Sequence, residues 1–76
     1  MSAFGEKVRR LRIERGWDVY DLGGRCGVYS MAVRKWETGK AFPHWHNYQR
    51  IAAVLGFDGK DWGEDYQADR REKEAP

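Results

Sequence analysis

The 76-residue chain contains a single cysteine, Cys26, so it can form neither an internal disulfide nor a zinc site built on several cysteines. One lone thiol fits a reducing, intracellular setting, and the expected location is cytoplasmic. No apolar run approaches membrane-spanning length, and the N-terminal MSAFGEKVRR lacks the apolar stretch of a signal peptide. There is no alternating strand pattern, no internal repeat and no low-complexity tract. Also missing are a Ser-His-Asp set, a working pair of acids and a phosphate-binding loop, so neither enzyme activity nor a cofactor is expected. His44 and His46 stand two apart, which on a helix gives them no common face, and no cysteine lies near them in sequence; no metal site is expected.

What the chain does have is aromatic area and unevenly spread charge. Only 41% of residues are hydrophobic, yet four Trp, four Tyr and three Phe can close the small core of one domain without covalent staples. The net charge is +2. Residues 1–40 hold nine lysines and arginines against five acids, whereas residues 41–76 hold five against seven. A basic front and an acidic back suit a protein that turns one face to a polyanion. Charge also scatters this way by chance in short chains, so this feature alone leaves a nucleic-acid partner open.

The apolar spacing predicts an all-α chain of about five helices. Phe4, Val8 and Leu11, with Ile13 as a further member, form a stripe that Gly16 ends. Asp18 is the expected N-cap of a short second helix, VYDLGGRC, in which Leu22 and Cys26 share a face. Gly23 and Gly24 are each unfavourable inside a helix, by about 1 kcal/mol relative to alanine, so at least one is expected to admit a close backbone neighbour. Gly27 suits a left-handed turn. The third helix, about residues 30–37, places Val33 and Trp36 inward, and TGKAFP follows as a loop. The fourth, HWHNYQRIAAVLG, offers Trp45, Tyr48, Ile51, Ala52 and Leu55 as a buried face. Asp58 is the expected cap of a weaker fifth segment with Trp62 and Tyr66 four apart. Residues 1–66 are expected to form the domain, and 67–76, which lack any apolar side chain larger than alanine, a charged tail that is frayed or disordered.

Two short helices joined by a tight glycine turn describe a helix-turn-helix. That unit requires a small residue where the helices cross, a residue tolerant of positive φ at the turn, and inward apolar residues on the second helix. Leu22, Gly23, Gly27, Val28, Val33 and Trp36 meet these demands in order. With VRRLRIERG before it, CGV at the turn, KWETGK after it and Pro43 followed by IAAVLGF, the chain from about Phe4 to Trp62 resembles the phage-repressor and Cro type of helix-turn-helix domain, also called the xenobiotic-response-element type.

The resemblance implies a lambda-repressor-like bundle whose third helix lies in the major groove of double-stranded DNA. It puts Tyr29, Ser30, Met31, Arg34 and Lys35 at base edges, with Arg34 or Lys35 donating to guanine and Met31 against a thymine methyl. It puts Lys40, with Arg10 or Lys7, at phosphates, and pairs Arg12 with Glu37 as a structural salt bridge. Such domains often dimerise near their C-terminal end, making Trp62 and Tyr66 candidate contacts of a homodimer; nothing in these 76 residues is left over for a separate dimerisation or ligand-sensing domain. The implied function is a small sequence-specific transcriptional regulator, a repressor of phage or prophage type. Two departures favour the alternative, a protein-interaction module of antitoxin or host-factor-binding kind on the same fold. Val19 stands where the family usually has a phosphate-binding glutamine, and Tyr29 where it has a serine or threonine cap.

Each feature also has a plainer explanation. Arg34 and Lys35 fit a solvated helix face, and the helix-turn-helix frame is what tips them toward DNA. Trp36, three residues from Val33, fits the core better than base stacking. Cys26, between Leu22 and Val28, and Trp17 are likewise expected in the core.

Overall fold

Helices start and stop in this chain where polar caps and glycines allow them to. The computed structural model describes residues 2–74. It contains α1 (Ala3–Glu14), α2 (Val19–Cys26), α3 (Ser30–Thr38), α4 (Trp45–Leu55) and α5 (Trp62–Glu74), with a single 3-10 turn at Gly59–Asp61 before α5. No strand occurs among the described residues.

The expected N-cap of α2 is present in full. The Asp18 carboxylate accepts the Asp21 N–H at 2.8 Å, and the Asp21 carboxylate accepts the Asp18 N–H at 3.0 Å, a reciprocal capping box. Asp58 caps the 3-10 turn by accepting the Lys60 N–H. The cap of α1 carries no strong signal in the sequence: Ser2, itself buried, accepts the Gly5 N–H at 2.9 Å. At the far end of α2, Gly27 takes φ +70°, and the Val28 N–H turns back to the Gly23 carbonyl at 2.9 Å. Gly39 ends α3 in the same way at φ +78°, with the Lys40 N–H on the Lys35 carbonyl.

Phe4, Val8, Leu22, Cys26, Val33, Trp36, Tyr48, Ile51 and Leu55 form the core, each at most 5% exposed. Both α1 and α2 pack on α3, and α4 closes the bundle against α2 and α1. Two expectations for core membership fail. Trp45 is 53% exposed, its ring edge-on to His46, because it opens α4 before the helix reaches the core. Ile13 is also 53% exposed, since it stands two residues rather than three or four beyond Leu11 and so leaves the stripe. Trp17 lies half-buried with the Arg25 guanidinium 4.1 Å from its ring centroid.

The segment set apart from residue 67 as a frayed or disordered tail is helical as far as Glu74; residues 75 and 76 lie outside the described range. Polar contacts as well as apolar area hold α5. Asp65 accepts from the Tyr48 hydroxyl and pairs with Lys7 at 2.9 Å. Glu72 accepts the Ala3 N–H at 3.1 and 3.2 Å, while Asp69, 4% exposed, pairs with Lys73 within α5 itself. A carboxylate beside the first free N–H of α1 is also favoured by the helix dipole. Trp62 and Tyr66 stack parallel at 5.3 Å, and Tyr66 meets Phe42 edge-on at 5.5 Å. Beyond Tyr66 no 3–4 apolar repeat continues and the tertiary contact is polar, through Glu72, which is why the sequence pattern ends too early. The radius of gyration, 11.5 Å, matches the ~11.4 Å of a compact chain this long, so α5 folds back onto the bundle.

Candidate nucleic-acid interface

The position of α3 is set by two close crossings at glycine. A Cβ on Gly23 would stand 2.8 Å from the Val28 carbonyl oxygen and 3.3 Å from the Ser30 nitrogen, so α2 lies directly against the turn that leads into α3. Gly24 would meet nothing within 4 Å; of the pair, Gly23 is the one that admits the close neighbour. On the other side, a Cβ on Gly5 would stand 2.5 Å from the Glu37 carbonyl oxygen and 2.6 Å from that of Trp36. This second crossing, of α1 over the end of α3, escapes sequence reasoning; a glycine in the first turn of a helix is its only trace.

The Arg12–Glu37 pair expected from the resemblance is formed. Arg12 donates from Nε at 2.7 Å and from Nη2 at 3.0 Å to the two carboxylate oxygens, and its Nη1 donates to the Trp17 carbonyl at 2.8 Å. Both side chains are largely buried, at 12% and 8% exposure. The hydrogen bond to Glu37 is the chief cause that raises the Arg12 pKa above its ordinary value, so the guanidinium stays charged. A fork-to-fork pair of this kind fixes rotation as well as distance. It ties α1, the α1–α2 turn and α3 together at one point.

With α3 held from behind, Met31, Arg34, Lys35 and Thr38 fall on its outer side at i, i+3, i+4 and i+7, and a shallow hollow runs over them to Lys40. Met31 is 59% exposed. Tyr29 occupies the N-cap position of α3 in extended conformation but makes no capping hydrogen bond, and it is 89% exposed. Ser30, the first residue of α3, is partly buried beside Gly23. The candidate base-contacting residues are therefore brought together at one end and along one side of a single helix.

A sequence model of a helix-turn-helix domain matches residues 3–62. The chain belongs to this helix-turn-helix family. No curated protein matches the chain, and no solved structure does. The matched range takes in α1 to α4 and ends at Trp62, so all of α5 beyond its first residue lies outside it.

Around this helix-turn-helix unit the cations differ in what they are committed to; Arg25, Lys60 and Arg71 have no ion pair among the described residues but lie off the outer side of α3. Lys7, Arg10, Arg12, Arg70 and Lys73 each pair with a carboxylate. Arg15 donates to the Leu55 carbonyl and Arg50 to the Cys26 carbonyl, so both serve helix C-termini. By contrast, no described carboxylate lies within ion-pair distance of Arg34, Lys35 or Lys40. Lys7, a candidate phosphate contact, is turned to α5, its ammonium 4.2 Å from the Phe57 ring centroid. Arg10 lies on the outer side of α1 with Glu14 3.7 Å away. The α1 cation that borders the face of α3 is Arg9, which shares a hollow with Val19, Arg34 and Thr38.

The N-terminus of α2 is already occupied electrostatically. Its capping box puts two exposed carboxylates, Asp18 and Asp21, at the positive end of the helix dipole, and Val19 offers no hydrogen bond. Trp62 and Tyr66, the candidate dimer contacts, are both half-buried within the chain's own fold.

Proposed function

We propose that this protein is a sequence-specific DNA-binding transcriptional regulator that lays α3 in the major groove of duplex DNA, and that it acts as a repressor of phage or prophage type by occupying an operator. The observation that carries the reading is the clustering of unpaired cations along the outer side of α3. Arg9, Arg25, Lys60 and Arg71 also lack a described carboxylate partner, but Arg34, Lys35 and Lys40 are unpaired and gathered along one hollow on the exposed side of α3, with Arg9 bordering the same face. Free cations on a rigid, exposed helix are what phosphate neutralisation and base readout require.

In this reading Tyr29, Ser30, Met31, Arg34 and Lys35 face the bases, and Lys40 faces phosphate. The α1 contribution comes from Arg9 and Arg10, because Lys7 is committed to Asp65. The acidic cap of α2 moves the phosphate contacts away from that helix and onto α1 and the turn after α3. A second copy, joined through the parts of Trp62 and Tyr66 that remain exposed, would engage a second half-site one helical turn away.

Binding to a mixed duplex pool across a salt series tests the proposal. Affinity falls linearly with salt on logarithmic axes, and one motif is enriched. Lys40→Ala weakens all sequences alike and lowers the salt slope by about one. A second reading has its own support: Tyr20, Tyr29 and Met31 are all exposed beside the same face, an apolar grouping suited to a protein partner. A folded protein that enriches no motif and shows no salt slope would establish that interaction module instead.

A further inference from the structure

Tyr20 is the second residue of α2, 66% exposed and outside the core. Its ring lies next to α3, with the Arg34 guanidinium carbon 6.0 Å from the ring centroid. Among the described residues this is the one attractive contact on that guanidinium. No hydrogen bond and no carboxylate holds it, because Glu37, three residues further along, gives both oxygens to Arg12. The remaining neighbours in the hollow beside it are Arg9, Val19 and Thr38. Lys35, the adjacent cation, has neither an ion pair nor a described aromatic ring within reach.

A guanidinium drawn toward an aromatic ring differs from one held by a carboxylate. At 6.0 Å from the centroid, the outer reach of a cation–π attraction, the Tyr20 ring biases the direction of the Arg34 guanidinium and leaves all five of its N–H groups free. A carboxylate would restrain the side chain too, but by consuming those donors. A planar fork with its donors free and its direction limited is the arrangement that recognises guanine O6 and N7 together. A lysine ammonium at the next position is a point charge with rotating donors and reads a base edge less selectively.

We infer that Tyr20 is a positioning residue for Arg34, and that Arg34 rather than Lys35 reads a guanine in the bound DNA. The inference rests on the DNA-reading function proposed above. It assigns to α2, whose N-terminus is closed to phosphate by its own carboxylates, a part in sequence recognition.

The test is selection from a random duplex pool at one salt concentration with the wild-type protein and the Tyr20→Ala, Tyr20→Phe, Arg34→Ala and Lys35→Ala variants, each first checked for an unchanged melting curve. Wild type enriches a motif with a guanine preferred at least about fivefold, and Arg34→Ala abolishes that preference at one position. Tyr20→Ala reduces the same preference about two- to fivefold and leaves the other positions alone, whereas Tyr20→Phe retains it. A purely structural role would not produce loss at one base position with rescue by phenylalanine. The assignment is overturned if Tyr20→Ala leaves the guanine preference intact, or if it weakens every sequence equally. It is also overturned if Tyr20→Phe behaves like Tyr20→Ala, which would mark a hydroxyl–phosphate contact, or if Lys35→Ala is the variant that removes the guanine. Failure of the wild-type protein to enrich any motif would overturn the proposed function and this inference together. A motif that survives Tyr20→Ala unchanged would overturn the inference alone.

Discussion

Replacing Gly23 and Gly24 by alanine, one at a time, should change stability in opposite directions although the two are neighbours in the same helix. Both substitutions gain helix propensity and reduce the freedom of the unfolded chain, together about 0.5–1 kcal/mol. At Gly24 nothing lies within 4 Å of the new methyl, so that gain is realised in full. At Gly23 the methyl would stand 2.8 Å from the Val28 carbonyl oxygen, 3.3 Å from the Ser30 nitrogen and 3.4 Å from the Tyr29 carbonyl carbon. All three are backbone atoms of the turn and cannot rotate away, so the turn must shift by about half an ångström, at a cost typical of overpacking, ~1–3 kcal/mol. The net expectation is a loss of about 1–2 kcal/mol for Gly23→Ala and a gain of about 0.5–1 kcal/mol for Gly24→Ala. In a chain this small, 1 kcal/mol moves the midpoint by roughly 4–8 °C. Thermal melts followed by circular dichroism should therefore show Gly24→Ala several degrees above wild type and Gly23→Ala on the order of 5–10 °C below. Gly23→Ala should also lose DNA affinity beyond its stability loss, because the displaced turn carries Tyr29 and Ser30. If both variants are stabilised, α2 does not meet the turn as closely as described and the account of how α3 is positioned is wrong.

Other perturbations probe the remaining joints. Arg12→Ala leaves Glu37 buried without its partner and should cost about 3 kcal/mol in urea denaturation, whereas adding Glu37→Leu should recover part of the loss; simple additivity in the double-mutant cycle would refute the coupling. Burial and the hydrogen bond to Asp65 push the Tyr48 pKa above its ordinary 10.0. A folded-state value above the unfolded one means that this contribution is intact below about pH 10 and lost as pH rises beyond it. Stability measured from pH 9 to 11.5 should fall more steeply for wild type than for Tyr48→Phe, and parallel curves would count against the contact. Cys26 is 1% exposed and burial raises its pKa, so it should react with a thiol reagent only as fast as the fold opens; rapid labelling of the native protein would contradict its place in the core.

Much of the local structure was legible in the residues. Asp18 and Gly27 bound α2 through a capping side chain and a left-handed backbone, and both effects act over a few residues. The inward set Leu22, Cys26, Val33 and Trp36 follows from helical periodicity alone. Trp45 and Ile13 show the limit of that reasoning, because a periodic stripe does not reveal where the neighbouring helix stops. Helix α5 shows the opposite limit. Its docking uses carboxylates spaced along a polar helix as well as two aromatics, and Asp65 and Glu72 acquire their meaning from Lys7, Tyr48 and Ala3, which are distant in sequence.

From the order of its residues the chain specifies five helical segments, a glycine turn of one handedness, an aromatic core and the identity of the helix that carries Arg34 and Lys35. The segments, the turn and the inward-facing stripes are consequences of short-range sterics and of apolar spacing, whereas the aromatics meet only across the bundle, as Phe4 does with Tyr48 and Phe57. Which cations remain free for a polyanion could not be read in this way. Lys7 and Arg34 are equally basic as letters, but folding brings Asp65 to the first, while Glu37, the acid nearest the second, is taken by Arg12. Charge pairing depends on distances between segments far apart in the chain, and those distances exist only once the helices have packed.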